Sequence, residues 1–125
     1  MRLLLDTVVF ILAAETPERL SHKAQKALRA GDPCELSVVS ISEIALKNST
    51  GKLAFGRDAV LRVIQELELR ILPYTLEHAT ELFDLPMHHR DPFDRQIIAQ
   101  ALAEDIPVVT CDQQFRLYQS LTVIW

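Results

Sequence analysis

Along the chain, short apolar runs alternate with longer stretches in which apolar residues recur every three or four positions. The first pattern suits buried strands. The second suits helices that pack on a sheet by one face. Arg2–Asp6, Glu35–Val38, Arg70–Leu72 and Pro107–Thr110 read as strands, and Leu121–Ile124 as a further strand on an edge. Between them the spacing predicts helices over Thr7–Ala14, Pro17–Ala30, Ser40–Thr50, Arg57–Leu69, Leu76–Phe83 and Pro92–Asp105. Leu20, Ala24, Ala27 and Leu28 share one face of the second helix, and Gly31 closes it; Gly51 closes the third. Strands joined by helices pair in parallel through right-handed crossovers, so the pattern predicts an α/β fold. In open parallel sheets the functional site lies at the carboxyl ends of the strands.

Acidic residues stand at those ends. Asp6 closes the first strand, Glu43 lies in the first turn of the helix after the second, Asp91 and Asp94 open the long helix, and Asp112 follows the fourth strand. Each has a purely structural explanation. Asp91-Pro92-Phe93-Asp94 has the form of an N-cap with Pro at the first helical position. Ser40-Ile41-Ser42-Glu43 has the form of a capping box. Asp112 can cap a short turn over Gln113–Arg116. A helix dipole favours such acids by about 0.3–1 kcal/mol each.

Two features point further. Asp94 is in phase with Ile97, Ile98 and Ala101, so it lies on the face turned toward the sheet. Asp6 sits between Leu3–Leu5 and Val8–Phe10, which implies burial. Two carboxylates about 4 Å apart repel by roughly 4 kcal/mol at an effective dielectric of 20, so a buried cluster calls for a cation. An all-carboxylate donor set favours Mg²⁺ or Mn²⁺ over zinc. Neighbouring His88 and His89 cannot both face one metal from a regular element, and they read as loop residues.

Composition sharpens this picture. A chain of 125 residues has the length of one domain, and 49% hydrophobic with 24% charged residues excludes a disordered or collagenous chain. Thirteen Lys and Arg against 17 Asp and Glu give a net charge of −4, so no global basic footprint for nucleic acid exists. A bound cation would supply the missing positive charge locally. Cys34 and Cys111 lie outside any CxxC pattern and read as small buried hydrophobes of a reducing cytosol. The apolar start is interrupted by Asp6, and the expectation is a cytoplasmic protein without a membrane segment.

On these residues the chain resembles a PIN-domain ribonuclease, and within that group the VapC toxins of type II toxin–antitoxin systems. The resemblance is carried by LLLDT at 3–7, SVVSISEIALKNSTGKL at 37–53, HRDPFDRQIIAQALAE at 89–104 and PVVTCDQQF at 107–115. HRDPFDR followed by IIAQA is the most specific piece. The resemblance implies a single domain over 1–125, a three-layer α/β/α sandwich with strand order 3-2-1-4-5. It implies an endoribonuclease whose Asp6, Glu43, Asp94 and Asp112 hold Mg²⁺ or Mn²⁺ and activate water, leaving a 3′-hydroxyl and a 5′-phosphate. Thr7 and Thr110 would hydrogen-bond those carboxylates or metal-bound water. Asp91 would be a further acid near the site or only the N-cap. Lys47 and Arg95 would contact RNA phosphate or pair with a neighbouring acid.

The same resemblance implies partners: an RNA substrate such as transfer or ribosomal RNA, a second copy in a homodimer, and a VapB-type antitoxin whose C-terminal segment fills an apolar groove. Phe10, Ile11, Leu12, Leu20 and Leu28 supply apolar material for a groove or for the core. DNA would be bound only through the antitoxin. The VVFILAA run after Thr7 departs from the polar or aromatic residue common there. Two rival readings remain. One is an aspartate-nucleophile phosphatase or dehalogenase-like hydrolase built on Asp6, although Val8 stands where a second Asp is wanted. The other is a non-catalytic binding module whose acids only cap helices.

Overall fold

A computed structural model describes all of residues 1–125. Five strands, β1 (Leu3–Leu5), β2 (Cys34–Ser37), β3 (Arg70–Leu72), β4 (Val108–Val109) and β5 (Val123–Ile124), form one sheet in the order β3-β2-β1-β4-β5. Every neighbouring pair is parallel; Leu4 faces Glu35 on one side and Val108 on the other. The central strand explains the unbroken LLL run. Helices cover both faces of the sheet, so Leu3, Leu4 and Leu5 are all fully buried and no polar alternation survives.

Leu4 and Val108 pack with Ile97, Ile98 and Ala101 of α6 (Pro92–Glu104) on one face, joined by Phe115 and Tyr118. Leu3, Leu5, Cys34 and Val109 pack on the other face with Val9 of α1 (Thr7–Glu15) and Ala24 of α2 (His22–Arg29). That layer continues through Phe10, Leu36 and Ile44 of α3 (Val38–Ser49) to Val60 and Val63 of α4 (Arg57–Glu66). The fifth helix, α5 (Leu76–Glu81), packs against α6. The result is a three-layer α/β/α sandwich.

The structure corrects the sequence reading locally. Pro17–Ala30 is not one helix. A 3₁₀ turn over Pro17–Arg19 ends at Leu20, which is extended, and Ser21 then caps α2 by accepting the Ala24 N–H. The Pro-containing turn and the Ser N-cap interrupt a continuous apolar stripe. Helix α3 begins at Val38 rather than Ser40, because the Ser37 hydroxyl accepts the Val39 N–H. The expected capping box of Ser40 and Glu43 therefore does not form, and the Glu43 side chain is released from a capping role. Gly31 and Gly51 adopt positive φ after α2 and α3, as helix-closing glycines do. No helix is long and apolar enough to cross a membrane. Cys34 is buried, but Cys111 is exposed, contrary to its reading as a small core residue.

Candidate active site

Parallel strands and antiparallel helices bring four distant segments to the carboxyl edge of the sheet. Asp6 follows β1 and is the N-cap of α1; its Oδ1 accepts the Val9 N–H at 2.8 Å. Its Oδ2 accepts the hydroxyl of Thr110, just beyond β4. Thr110 thus holds the Asp6 carboxylate, while its own hydroxyl oxygen accepts the Asp112 N–H at 3.0 Å. Thr7 does not do the same. Its hydroxyl donates to the Ser40 hydroxyl at 2.9 Å, tying α1 to α3 instead of touching an acid.

Glu43 emerges from the first half of α3 and is 5% exposed. One of its oxygens accepts Lys47 Nζ at 2.7 Å, one helical turn on. The other, Oε1, is buried without any hydrogen-bond partner. A buried carboxylate oxygen with no donor carries an uncompensated desolvation penalty, and it is the kind of atom a cation would take. Of the alternatives for Lys47, the structure shows the ion pair.

Asp91 is the N-cap of α6 and accepts the Phe93 and Asp94 N–H groups at 2.9 and 3.0 Å. Asp94, one turn into the helix, faces the other acids. Asp112 follows β4 and caps a 3₁₀ turn over Gln113–Leu117 by accepting the Gln114 N–H. Arg95 turns away from the acids. It donates to the carbonyls of Leu85, Pro86 and His89 at 3.0–3.3 Å, so its guanidinium is committed to the preceding loop.

The electrostatics follow from this crowding. Burial pushes Asp6 up to about 6, against the pull of the Thr110 and Val9 donors, with Asp112 and Glu43 adding to the rise. Burial also pushes Asp94 up to about 7, helped by the charges of Asp91, Glu43 and Asp6 and opposed by His89. The Lys47 ammonium is stabilised by its bond to Glu43 and by the fields of Asp91 and Asp94. The four acids thus share one field, and the one Lys or Arg ion-paired with any of them is half-exposed Lys47.

One residue at the site reads as a loop residue in the sequence. His89 is buried, with Nε2 2.8 Å from Asp112 Oδ2 and 3.1 Å from Asp94 Oδ2. The signal available beforehand was its place two residues before the Asp91 cap; the pairing with Asp112 crosses 23 positions, which no local pattern reveals. His88 is exposed and packs edge-on against Tyr118.

Comparison with known proteins places this geometry. The sequence profile of the PIN domain matches residues 3–120. No curated protein sequence matches. Among solved structures, a chain of the VapBC2 complex of Rickettsia felis, crystallised with a DNA fragment from their promoter, superposes with a TM-score of 0.75 at 16% identity. That superposition covers 98% of this chain and 97% of the other. A chain of VapBC-5 from Mycobacterium tuberculosis, a toxin–antitoxin family member, gives 0.64 at 22% identity over 98% and 97%. A chain of FitAcB from Neisseria gonorrhoeae gives 0.61 at 22% over 97% and 95%. At these identities the likeness is one of fold.

Proposed function

The chain belongs to the PIN-domain family, and from that premise we propose that it is a metal-dependent endoribonuclease, the toxin of a type II toxin–antitoxin pair. The observation that carries the reading is the convergence of Asp6, Glu43, Asp94 and Asp112 at one sheet edge, with Glu43 Oε1 buried and unpartnered. Helix capping accounts for one oxygen of Asp6 and one of Asp112. It accounts for neither Glu43 nor Asp94, so the binding-module reading leaves these two acids unexplained.

The donor set fits a hard divalent cation. Glu43 Oε1 and the carboxylates of Asp6, Asp94 and Asp112 are the residues that would hold Mg²⁺ or Mn²⁺. Such an ion lowers the pKa of a bound water and neutralises charge on a phosphodiester. The protein's part is preorganisation. Thr110 and the Val9 amide fix the rotamer of Asp6. Lys47 holds one oxygen of Glu43 and leaves the other open. The Asp91 cap starts α6 so that Asp94 points at the sheet edge. Residues locked in this way lose little freedom when substrate arrives.

The solved relatives are VapBC and FitAB-type assemblies, which supports a VapB-type antitoxin as partner. An apolar hollow of about 350 Å³ lined by Ile41, Ile44, Phe55, Val60 and Leu61 offers a seat for its C-terminal segment. Phe10 and Leu20, expected for either role, are buried in the core. RNA substrate, homodimer, single-domain organisation and cytoplasmic location belong to the same proposal.

The test is cleavage of total cellular RNA by wild type and Asp94→Asn, each with Mg²⁺, with Mn²⁺ and with EDTA. Discrete fragments that need metal and vanish in the variant support the reading. Equal cutting by both proteins, or none by either in the absence of antitoxin, removes it.

A further inference from the structure

His89 is clamped at every polar atom. Its N–H donates to Tyr118 Oη at 3.0 Å, and the tyrosine hydroxyl in turn donates to Pro86 O at 2.9 Å. Its carbonyl accepts Arg95 Nη1 at 3.2 Å. Its ring stands edge-on to buried Phe115, centroids 5.7 Å apart at 88°. Most tellingly, Nδ1 accepts the Asp91 N–H at 3.1 Å. A ring nitrogen that accepts carries no proton, so the other nitrogen must carry it. Nε2–H therefore donates to Asp112 at 2.8 Å with Asp94 Oδ2 at 3.1 Å.

His89, Asp94 and Asp112 offer three atoms within 4.8 Å of one another, a spacing that would suit three ligands of one ion. The tautomer argues against that use of the ring. Ligation through Nε2 would require a lone pair there and a proton on Nδ1, where the Asp91 N–H already points. We propose that His89 is a positioning residue, an Nε2–H donor fixed between Asp94 and Asp112, and not a metal ligand. It keeps two like charges at a set separation, so both carboxylates stay turned toward the ion they would hold. This inference rests on the metal-dependent reading above.

It also explains where Arg95 and Tyr118 are spent. Both secure the loop that presents His89, and neither reaches the acids. A donor on a mobile loop would follow whichever carboxylate moved; one clamped from its amide, its carbonyl and its ring holds them to its own geometry.

The experiment uses the full-length chain, first free of metal at pH 8 and then saturated with Mg²⁺, read by long-range ¹H–¹⁵N correlation of the histidine rings. The His89 ring is assigned by its loss in His89→Gln. The proposal expects the Nε2–H tautomer in both states; an Nδ1–H ring in either overturns it. Mn²⁺ binding is then titrated by calorimetry on wild type, His89→Phe and His89→Gln. His89→Phe keeps the aromatic packing and removes the donor, and is expected to weaken Mn²⁺ about 10–100-fold, as loss of a hydrogen bond to a metal-binding group does. His89→Gln keeps an N–H at a similar reach and is expected to recover part of that loss. Equal affinity in wild type and His89→Phe overturns the positioning role alone. Wild type that binds no Mn²⁺ overturns the nuclease reading and this role together, while the tautomer separately reports which ring nitrogen faces Asp112.

Discussion

The two ends of the sheet carry buried acids in opposite electrostatic states. At the amino edge, Glu35 lies 4% exposed within β2 and takes two donors from Arg2, one of them at 2.9 Å. Arg2 also reaches Glu104, at the C-terminal end of α6, at 3.0 Å, and His78 Nε2 stands 3.0 Å from the second Glu104 oxygen. The His78 bond and Arg2 together hold Glu104 below its usual range. At the carboxyl edge, Asp6 and Asp94 are raised to about 6 and about 7. Burial alone does not separate the two sets; the supply of partners does. The amino-edge acids are paired with Arg2, whereas at the carboxyl edge Asp6 and Asp94 have no Lys or Arg partner and are left wanting positive charge.

The two edges even share a device. His78 Nδ1 accepts the Thr75 N–H at 3.1 Å, so its Nε2 proton faces Glu104, as that of His89 faces Asp112. At the amino edge that donor is joined by an arginine. At the carboxyl edge no arginine joins it, and Lys47 pairs with Glu43 alone, so the remaining charge is what a cation would answer.

The largest expected effect comes from neutralising each edge in turn. Asp6→Asn abolishes RNA cleavage, by at least about 100-fold, yet leaves a folded protein whose metal-free melting temperature is no lower than wild type. Glu35→Gln does the reverse, leaving cleavage near normal and lowering stability by about 2–3 kcal/mol. That is less than the roughly 3–5 kcal/mol of a fully buried ion pair, because Arg2 is partly exposed. Urea denaturation and RNA cleavage on both variants check the contrast; a Glu35→Gln protein that is stable and inactive would break it.

Next in size is the effect of metal. A ligand that binds only the folded state at 100 times its dissociation constant adds about 2.7 kcal/mol. Saturating Mn²⁺ is expected to raise the wild-type melting temperature at pH 7.5 by several degrees, and EDTA to reverse this. Glu43→Gln should lose most of the gain.

The pH response follows from the signs. Asp6 and Asp94 have folded values above 3.8, so their contribution to stability is full below that value and is lost as pH rises through about 6 and about 7. Glu104 is lowered, so its contribution is present above its ordinary 4.5 and is lost as pH falls through the lower folded value. Metal-free protein is therefore expected to lose stability between pH 5 and pH 7.5, and Asp94→Asn to flatten that slope. Thermal melts across the range decide this; a wild-type slope of the opposite sign would remove the case for raised acids.

The smallest effect concerns Arg95. Arg95→Met removes its bonds to three carbonyls and is expected to cost about 1–2 kcal/mol. Chemical denaturation measures it, and a change in RNA affinity larger than the change in stability would return Arg95 to the role of a phosphate contact.

Much of this was legible in the chain. The LLL run, the Asp91-Pro92 start of α6 and the glycines after α2 and α3 are local signals, because strand burial, capping and left-handed turns depend on neighbours a few residues away. Asp94 was placed on its inward face by helical phase alone. The errors were local competitions. Ser21 and Ser37 both took caps that apolar periodicity had assigned elsewhere, since a serine hydroxyl beside an open N–H captures it whatever the longer pattern prefers. The parallel arrangement, the long inward-facing helix and the acids at the strand ends were therefore written in the order of residues.

Which groups face those acids was not. Thr110 meets Asp6 across 104 positions, His89 meets Asp112 across 23, and Thr7 turns from the acids to Ser40 across 33. These choices were made only when the sheet and its two layers closed. The partner of a buried charge is set by distance in space, and sequence periodicity determines a residue's face but not what waits opposite it.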